Sequence, residues 1–360
     1  MDIARGLGIC LVVLGHNQIC QQGTLIYALI FGFHMPLFFF LSGYFHKNRD
    51  SLKNEIQYRA KKLLLPYYCT AIAFILLKSL PDPIAFYHQE LRPILFGVLW
   101  GSGGRGNLDR YLFWPPLWFL TSLFLTQVSY GLISRIPYFN KLLILRIVVC
   151  IASLSLGQYY LESGGSGYVQ ILGATLILSE NGYPFNLDLL PVTIFFYWMG
   201  AEFHLQMKSC ETNCSKKQCV IWALGAMLLY LSFQILRTNF SFQHFSGGVM
   251  DLNLRQYGPL LTSTMLAVCG VFAVVYVCIY TEKYFWGNAG RVLCSLGKYS
   301  LPILIFHHFI QRKFSDIIPN SGFWYIPFIA GIIAPVILAR VLIARNRVLS
   351  GIYGVSPRSY

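Results

Sequence analysis

Charge is scarce in this chain. Only 12% of its 360 residues are Asp, Glu, Lys or Arg, against ~25% in an ordinary soluble domain, and 56% are hydrophobic. A water-soluble core of this size cannot absorb so much apolar side chain, so lipid must solvate much of the molecule. The signatures of soluble enzymes are also missing: there is no serine elbow, no metalloprotease helix and no metal-ligand cluster. The run Gly101-Ser102-Gly103-Gly104-Arg105-Gly106 lacks the Lys-Ser/Thr ending and the preceding strand of a phosphate loop, and reads as a flexible outer loop. Of the ten cysteines, Cys10, Cys20, Cys69, Cys150, Cys269, Cys278 and Cys294 lie in or near apolar runs and read as small fillers. Cys210, Cys214 and Cys219 lack the paired spacing and the fourth ligand of a structural zinc site, so no metal is expected. No internal repeat occurs, and no matched pair of broken helices of the transporter kind. No basic stretch is interleaved with aromatics, so nucleic-acid binding has no support. There is no removable signal either, because the apolar run starting at Ile3 has no basic leader or small-residue cleavage site and leads straight into a second run. The start is abrupt, and a short native leader is expected to be missing.

What the chain has in abundance is long apolar runs. Runs of ~20 residues, the length that spans a bilayer core, fall at about 3–21, 24–46, 63–80, 117–135, 142–161, 187–205, 218–236, 259–280, 299–318 and 324–344. The shorter apolar stretch 167–179 reads as a re-entrant or interfacial piece; a full span there would make eleven and invert the second half. Aromatic residues reach 16%, which suits belts of Trp and Tyr at the two interfaces. The expected fold is an all-α integral membrane protein. About ten transmembrane helices form one bundle, residues 1–360 are a single polytopic domain, and a short cytoplasmic tail occupies about 345–360.

The basic residues orient this bundle. With a cytoplasmic N-terminus, all but eight of the 28 Lys and Arg fall on the inner side; the eight are Lys78, Arg92, Arg105, Arg110, Arg237, Arg255, Arg312 and Lys313. That bias follows the positive-inside rule and places both termini in the cytoplasm of a cell with the protein in its inner (plasma) membrane. The net charge of +14 is then mostly topology.

Ionisable groups inside spans are the candidates for chemistry. Arg5 and His16 are eleven residues apart, which at 100° per residue puts them within ~20° on one face of the first helix and ~16 Å apart along it. Asp2 sits one turn before Arg5 and can pair with it. Arg5 also reads as a positive-inside anchor, and His16 as an interhelical hydrogen bond. In the second span, Pro36 removes a backbone donor and frees the carbonyl of Gly32, so the helix should kink beside His34. The short turn at 21–24 makes that helix antiparallel to the first, with His34 near mid-membrane. Apolar surroundings favour the neutral imidazole, the form that acts as a base. Farther on, Gly297-Lys298-Tyr299-Ser300-Leu301-Pro302 enters the ninth span, with His307 about two turns deep. Of the adjacent His307 and His308, one is expected to face lipid or a different neighbour. Trp118 and Trp114 lie at the outer boundary, where Trp114 reads as belt. On the inner side, Arg59, Lys61 and Lys62 precede Pro66-Tyr67, as anion ligands or as topology markers.

Several of these residues form a familiar pattern. The run Asp2-Ile3-Ala4-Arg5-Gly6 to Gly15-His16-Asn17, followed by His34-Met35-Pro36-Leu37-Phe38-Phe39 to Ser42-Gly43-Tyr44, closely resembles the membrane-bound acyltransferase family 3. Within it the chain is most similar to fucose 4-O-acetylase-like sugar O-acetyltransferases. Trp118-Phe119-Leu120, Arg59/Lys62 before Pro66-Tyr67, and the Gly297 to His307 segment match in the family's order. The resemblance implies a ten-helix enzyme moving an acyl group, usually acetyl, from cytoplasmic acetyl-CoA to a hydroxyl of a cell-surface glycan, with no bound cofactor. It maps the Arg/Lys-x10-His signature onto Arg5 and His16, and the basic pair onto Arg59 and Lys62. Three departures stand out: the basic leader is absent, Lys62 replaces an Arg and loses bidentate grip on phosphate, and Leu304 replaces a common Tyr. On this reading Arg5, Arg59 and Lys62 hold the donor's phosphates. His16 is the base for the acceptor hydroxyl, with His34 as second base or relay. Trp118 shapes the sugar-facing mouth, and His307 belongs to the acceptor side or the framework. The competing reading is a transporter or flippase, in which the buried histidines would be substrate or proton sites.

Overall fold

The computed structural model describes residues 1–103, 115–162, 168–171, 174–177, 182–210, 221–222, 224–232, 250–256, 258, 260–284, 287–318 and 321–356. Trp114, Arg105, Cys214, Cys219 and the loops around Arg105 and Lys216 lie outside the described residues. In chain order the principal helices are α1 (Asp2–Gly15), α2 (Leu25–Phe31), α3 (His34–Tyr44) and α4 (Leu52–Ser79). Next come α5 (Pro83–Gln89), α6 (Leu91–Trp100), α7 (Trp118–Ile133), α8 (Leu143–Glu162) and α9 (Leu190–Cys210). The last four are α10 (Leu260–Tyr284), α11 (Asn288–Lys298), α12 (Ser300–Ile317) and α13 (Tyr325–Ile343). Each apolar run read from the sequence is thus helical at most of its described residues. The stretch 167–179 is different. It holds a short antiparallel hairpin, Tyr168–Ile171 paired with Ala174–Ile177, so the fold is helical with one small β element rather than wholly α.

Among the described residues, four helices are long and apolar enough to cross a bilayer: Leu25–Tyr44, Leu52–Ser79, Thr262–Glu282 and Tyr325–Ile343. A fifth crossing is available if α11 and α12, which meet at a bend of 84°, count as one. Leu91–Trp100, Trp118–Ile133 and Leu143–Gly157 are apolar but shorter. Large apolar side chains lie exposed along these helices, among them Ile72, Leu76 and Leu77 on α4 and Ile329, Ile333 and Ile337 on α13. In water such stripes would be a liability; in lipid they are the ordinary exterior.

The chain divides into two compact units. One comprises Met1–His46, Phe196–Asp251 and Tyr257–Tyr360; the other comprises Lys47–Phe195 and Leu252–Gln256.

In the first unit α1 is the central helix, packed by α2, α3, α10, α11, α12 and α13. Ile3 and Ala4 of α1 join Phe33, Leu37, Phe40, Leu41, Phe203, Val271 and Val275 in one apolar cluster. Lipid tails are as apolar as leucine, so burial alone does not hold such helices together; close packing does. Glycines supply it. A Cβ on Gly6 would sit 1.9 Å from the Leu293 carbonyl oxygen, and one on Gly297 2.2 Å from that of Asp2, so α1 and α11 touch backbone to backbone. Gly43 and Gly200 do the same for α3 and α9, against Tyr197 and Phe40.

The kink expected beside Pro36 is present. Helix α2 stops at Phe31, a turn follows at Gly32 and Phe33, and α3 restarts at His34 with Pro36 in its first turn, where a missing N–H costs nothing. Thr24 caps α2 by accepting from the Tyr27 amide at 3.2 Å. Helix α1, by contrast, is shorter than the expected run to residue 21. It has 14 residues, ~21 Å at 1.5 Å per residue, and His16 is its C-cap.

In the second unit α4 packs on α7. A π-helical turn at Ala60–Leu64 interrupts α4 just before Pro66, the wider turn accommodating a ring that would clash with a regular helix backbone. Hydroxyl contacts knit the short helices: Thr126 meets Thr193 at 2.7 Å, and Ser153 donates to the Pro191 carbonyl at 3.0 Å.

Candidate active site

Two polar side chains tie the end of α1 to its neighbours. Past Gly15 the His16 amide still reaches the Val12 carbonyl at 3.2 Å and the Asn17 amide that of Leu14 at 3.0 Å, and the Val13 carbonyl is met by a side chain. Gln311 of α12 donates Nε2–H to the Val13 carbonyl at 2.9 Å. Asn17 donates to the Trp324 carbonyl at 2.9 Å and accepts from the Ile19 amide at 3.2 Å. His16 therefore projects from a fixed helix terminus.

Around it the structure gathers imidazoles. The ring of His307 lies 5.2 Å from that of His16, centre to centre and tilted by 46°. The ring of His308 stands edge-on at 5.1 Å. Both adjacent histidines of α12 thus border His16, and the expectation that one would face elsewhere is corrected. The reason is geometric: His16 lies beyond the last turn of α1, where its ring meets the side of α12 rather than one face position. His34 is within electrostatic reach of His16. The Nδ1 of His34 lies 2.9 Å from the Ile30 carbonyl, and that of His307 lies 2.8 Å from the Ile303 carbonyl. A carbonyl only accepts, so in each ring Nδ1 carries the hydrogen and Nε2 keeps the lone pair. Phe31 closes on His34 edge-on, with centroids 4.6 Å apart.

Arg5 occupies the other end of α1. It pairs with Asp2 at 3.3 Å, the contact its spacing predicts. Its guanidinium also stacks over Phe45 at 4.2 Å. Asp2 and Phe45 help to line a cavity of about 400 Å³ with Met1, Tyr44, Met207, Ile279 and Glu282.

Arg59, Lys62 and Trp118 belong to the second unit. Arg59 is buried, and its Nη2 lies 3.5 Å from a carboxylate oxygen of Glu55, which is 0% exposed. The other oxygen of Glu55 takes Arg135 at 2.7 Å, and Arg135 also donates to the Arg49 carbonyl at 3.1 Å. Lys62 is exposed on the π-helical turn. Arg59 and Lys62 therefore have different surroundings and do not form a matched pair of free cations. Trp118 is buried at the start of α7 beside a dense polar knot. Asn186, also buried, donates to the carbonyls of Trp118 at 3.1 Å and Gly101 at 3.2 Å, while its oxygen receives Arg255 at 3.1 Å. Arg255 pairs with buried Asp188 at 2.9 Å and reaches Ser102 at 2.7 Å. Asn186 and Arg255 both hold left-handed backbone, at φ 59° and 56°, a strain that persists only where surroundings over-determine it. Read from the sequence, Arg255 is one of the outer basic residues; the structure adds that it is buried in an ion pair. Arg135, Asn186 and Asp188 carried no local signal, since Glu55 and Arg255, with which they pair, lie far away in the chain.

The profile of a family described as an acyltransferase domain matches residues 1–345. The nodulation protein NolL of Mesorhizobium japonicum is 31% identical over 154 residues, covering 39% of this chain and 36% of that protein. The match thus spans about a third of the relative's length. No solved structure matches the chain. With the profile extending over nearly its whole length, the chain belongs to the membrane-bound acyltransferase family 3.

Proposed function

We propose that this protein is a membrane O-acyltransferase that moves an acetyl group from cytoplasmic acetyl-CoA to a hydroxyl of a cell-surface or exported sugar. The carrying observation is the α1 helix itself, with a cation stacked over an aromatic ring at one end and a cluster of imidazoles at the other. In this reading the Arg5 end faces the cytoplasm, near the cavity beside Asp2 and Phe45. His16 takes the proton from the acceptor hydroxyl as that oxygen attacks the thioester carbonyl. His34, with its own Nε2 lone pair, serves as a second base or relay. Arg59 and Lys62 add to the donor's phosphate grip, and Trp118 borders the acceptor mouth. Ten spans in the inner membrane, with both termini cytoplasmic, complete the reading. Support comes from the basic asymmetry, the exposed apolar helices and the family.

The bend of 84° between α11 and α12 is the one feature that leans toward a transporter. Transporters with inverted repeats carry such breaks in corresponding positions of both halves; here one such pair occurs among the described residues. The test is direct. Purified protein in detergent, given acetyl-CoA and glycan from the producing cell, should release free CoA thiol and leave acetyl on the glycan. Solute movement without thiol release would support the transporter instead.

A further inference from the structure

One group in the site has an unspent valence. The Nδ1–H of His307 is committed to its own helix, 2.8 Å from the Ile303 carbonyl and 3.0 Å from that of Leu304. Its Nε2 therefore bears a lone pair. That nitrogen is buried and has no hydrogen-bond partner among the described residues, on a side chain that is 0% exposed. Buried acceptors are ordinarily filled, and an empty one calls for an explanation. The neighbouring ring is that of His16, with centroids 5.2 Å apart. A hydrogen bond of ~3 Å plus the ~1.1 Å from ring centre to nitrogen at each end spans that distance. The titratable groups acting on His16 among the described residues are His34, His307 and His308, with no carboxylate. Gln311, one turn beyond His307, fixes α12 against α1 at the Val13 carbonyl, so the two rings are held in register.

We propose that His307 is the positioning residue for His16, its Nε2 accepting the N–H of His16 as that ring turns to receive the acceptor hydroxyl. This rests on the reading of His16 as the base. The bond fixes one tautomer of His16 and leaves its other nitrogen unprotonated toward the hydroxyl. During transfer the hydroxyl proton moves to that nitrogen while its oxygen bonds to the thioester carbon. The carbon–sulfur bond then breaks, and the proton passes to the departing thiolate to give the CoA thiol. His307 keeps its Nδ1 proton throughout. It does here what a carboxylate does behind the histidine of a hydrolase triad, without bringing a charge into the apolar site.

The experiment uses inverted membrane vesicles that carry the full chain and the host's surface glycan, supplied with radiolabelled acetyl-CoA. Rates are normalised to folded protein. His307→Phe should lower kcat at least 100-fold with KM for acetyl-CoA unchanged. His307→Gln, whose amide can place an oxygen near the Nε2 position, should keep a tenth of the rate or more. In a His16→Ala background, His307→Phe should cause no further loss, because the two act as a unit. A His307→Phe enzyme within twofold of wild type overturns the proposal. So does a His307→Gln enzyme as inactive as the Phe variant, or a full additional loss in the His16→Ala background. If His16→Ala alone keeps the wild-type rate, the base reading falls instead. The pairing is then judged by the side-chain nitrogen spectrum of ¹⁵N-histidine-labelled protein in detergent. A change in the His16 tautomer signal on His307→Phe supports the hydrogen bond, and an unchanged signal overturns it.

Discussion

At the scale of single residues, His16 and Glu55 make contrasting cases. His16→Gln preserves size and polarity but not basicity. If His16 is the base, kcat should fall by ~10²–10⁴ while acetyl-CoA still binds, measured as rate per unit of folded protein. A fully active Gln variant would transfer the role to His34. Glu55 sits fully buried between Arg59 and Arg135. Glu55→Ala leaves two guanidiniums without their shared anion and should cost ~3 kcal/mol, the low end for breaking a buried pair because Arg135 is partly solvated. A thermal melt in detergent reads that loss; an unchanged Tm would mean the pair contributes nothing net. The Arg5–Asp2 contact was legible because both partners lie on one helical turn. The Glu55–Arg135 contact was not, because eighty residues separate its partners and no periodicity links them. Likewise His16 was legible as an ionisable group inside an apolar run, but its company of His307 and His308 depends on which helix α1 meets.

At the scale of elements, the kink at His34 followed from one proline, and most of the longer helices lie within the apolar runs, whereas α5, α6 and α11 lie outside them. The end of α1 did not follow from run length. Residues 16–21 (His-Asn-Gln-Ile-Cys-Gln) are mostly polar, and the structure stops the helix there, with Gln311 donating to the Val13 carbonyl and Asn17 accepting from the Ile19 amide. The run to residue 21 overshoots because a count of about twenty residues does not weigh the polar segment that ends the helix. The glycine contacts give a sharp expectation. A valine at Gly6 would drive its Cβ into the Leu293 carbonyl, 1.9 Å away, and both partners there are backbone. Gly6→Val should therefore separate α1 from α11 and yield little monodisperse protein by fluorescence-detected size exclusion, whereas Gly225→Val, where an added Cβ meets nothing within 4 Å, should not. Equal yields would show that this crossing is not tight.

At the scale of the whole molecule, composition alone identified a lipid-solvated helical protein, and the exposed leucines and isoleucines of α4 and α13 fit it. Topology remains a matter of charge counting. A single cysteine placed at Lys53 in a cysteine-free background should resist an impermeant thiol reagent in intact cells and react once the membrane is opened. Labelling from outside would reverse the orientation proposed above. The length of α1 has a further bearing on how such an enzyme works across a barrier. Its 14 residues cover ~21 Å, whereas the hydrocarbon layer is ~30 Å thick. On the function proposed above, a donor gripped at Arg5 and a hydroxyl poised at His16 are separated by less than one membrane thickness. The crossing becomes a question of tether length: the flexible arm of the donor can carry its cargo along a stationary helix, so no part of the protein has to alternate between two sides.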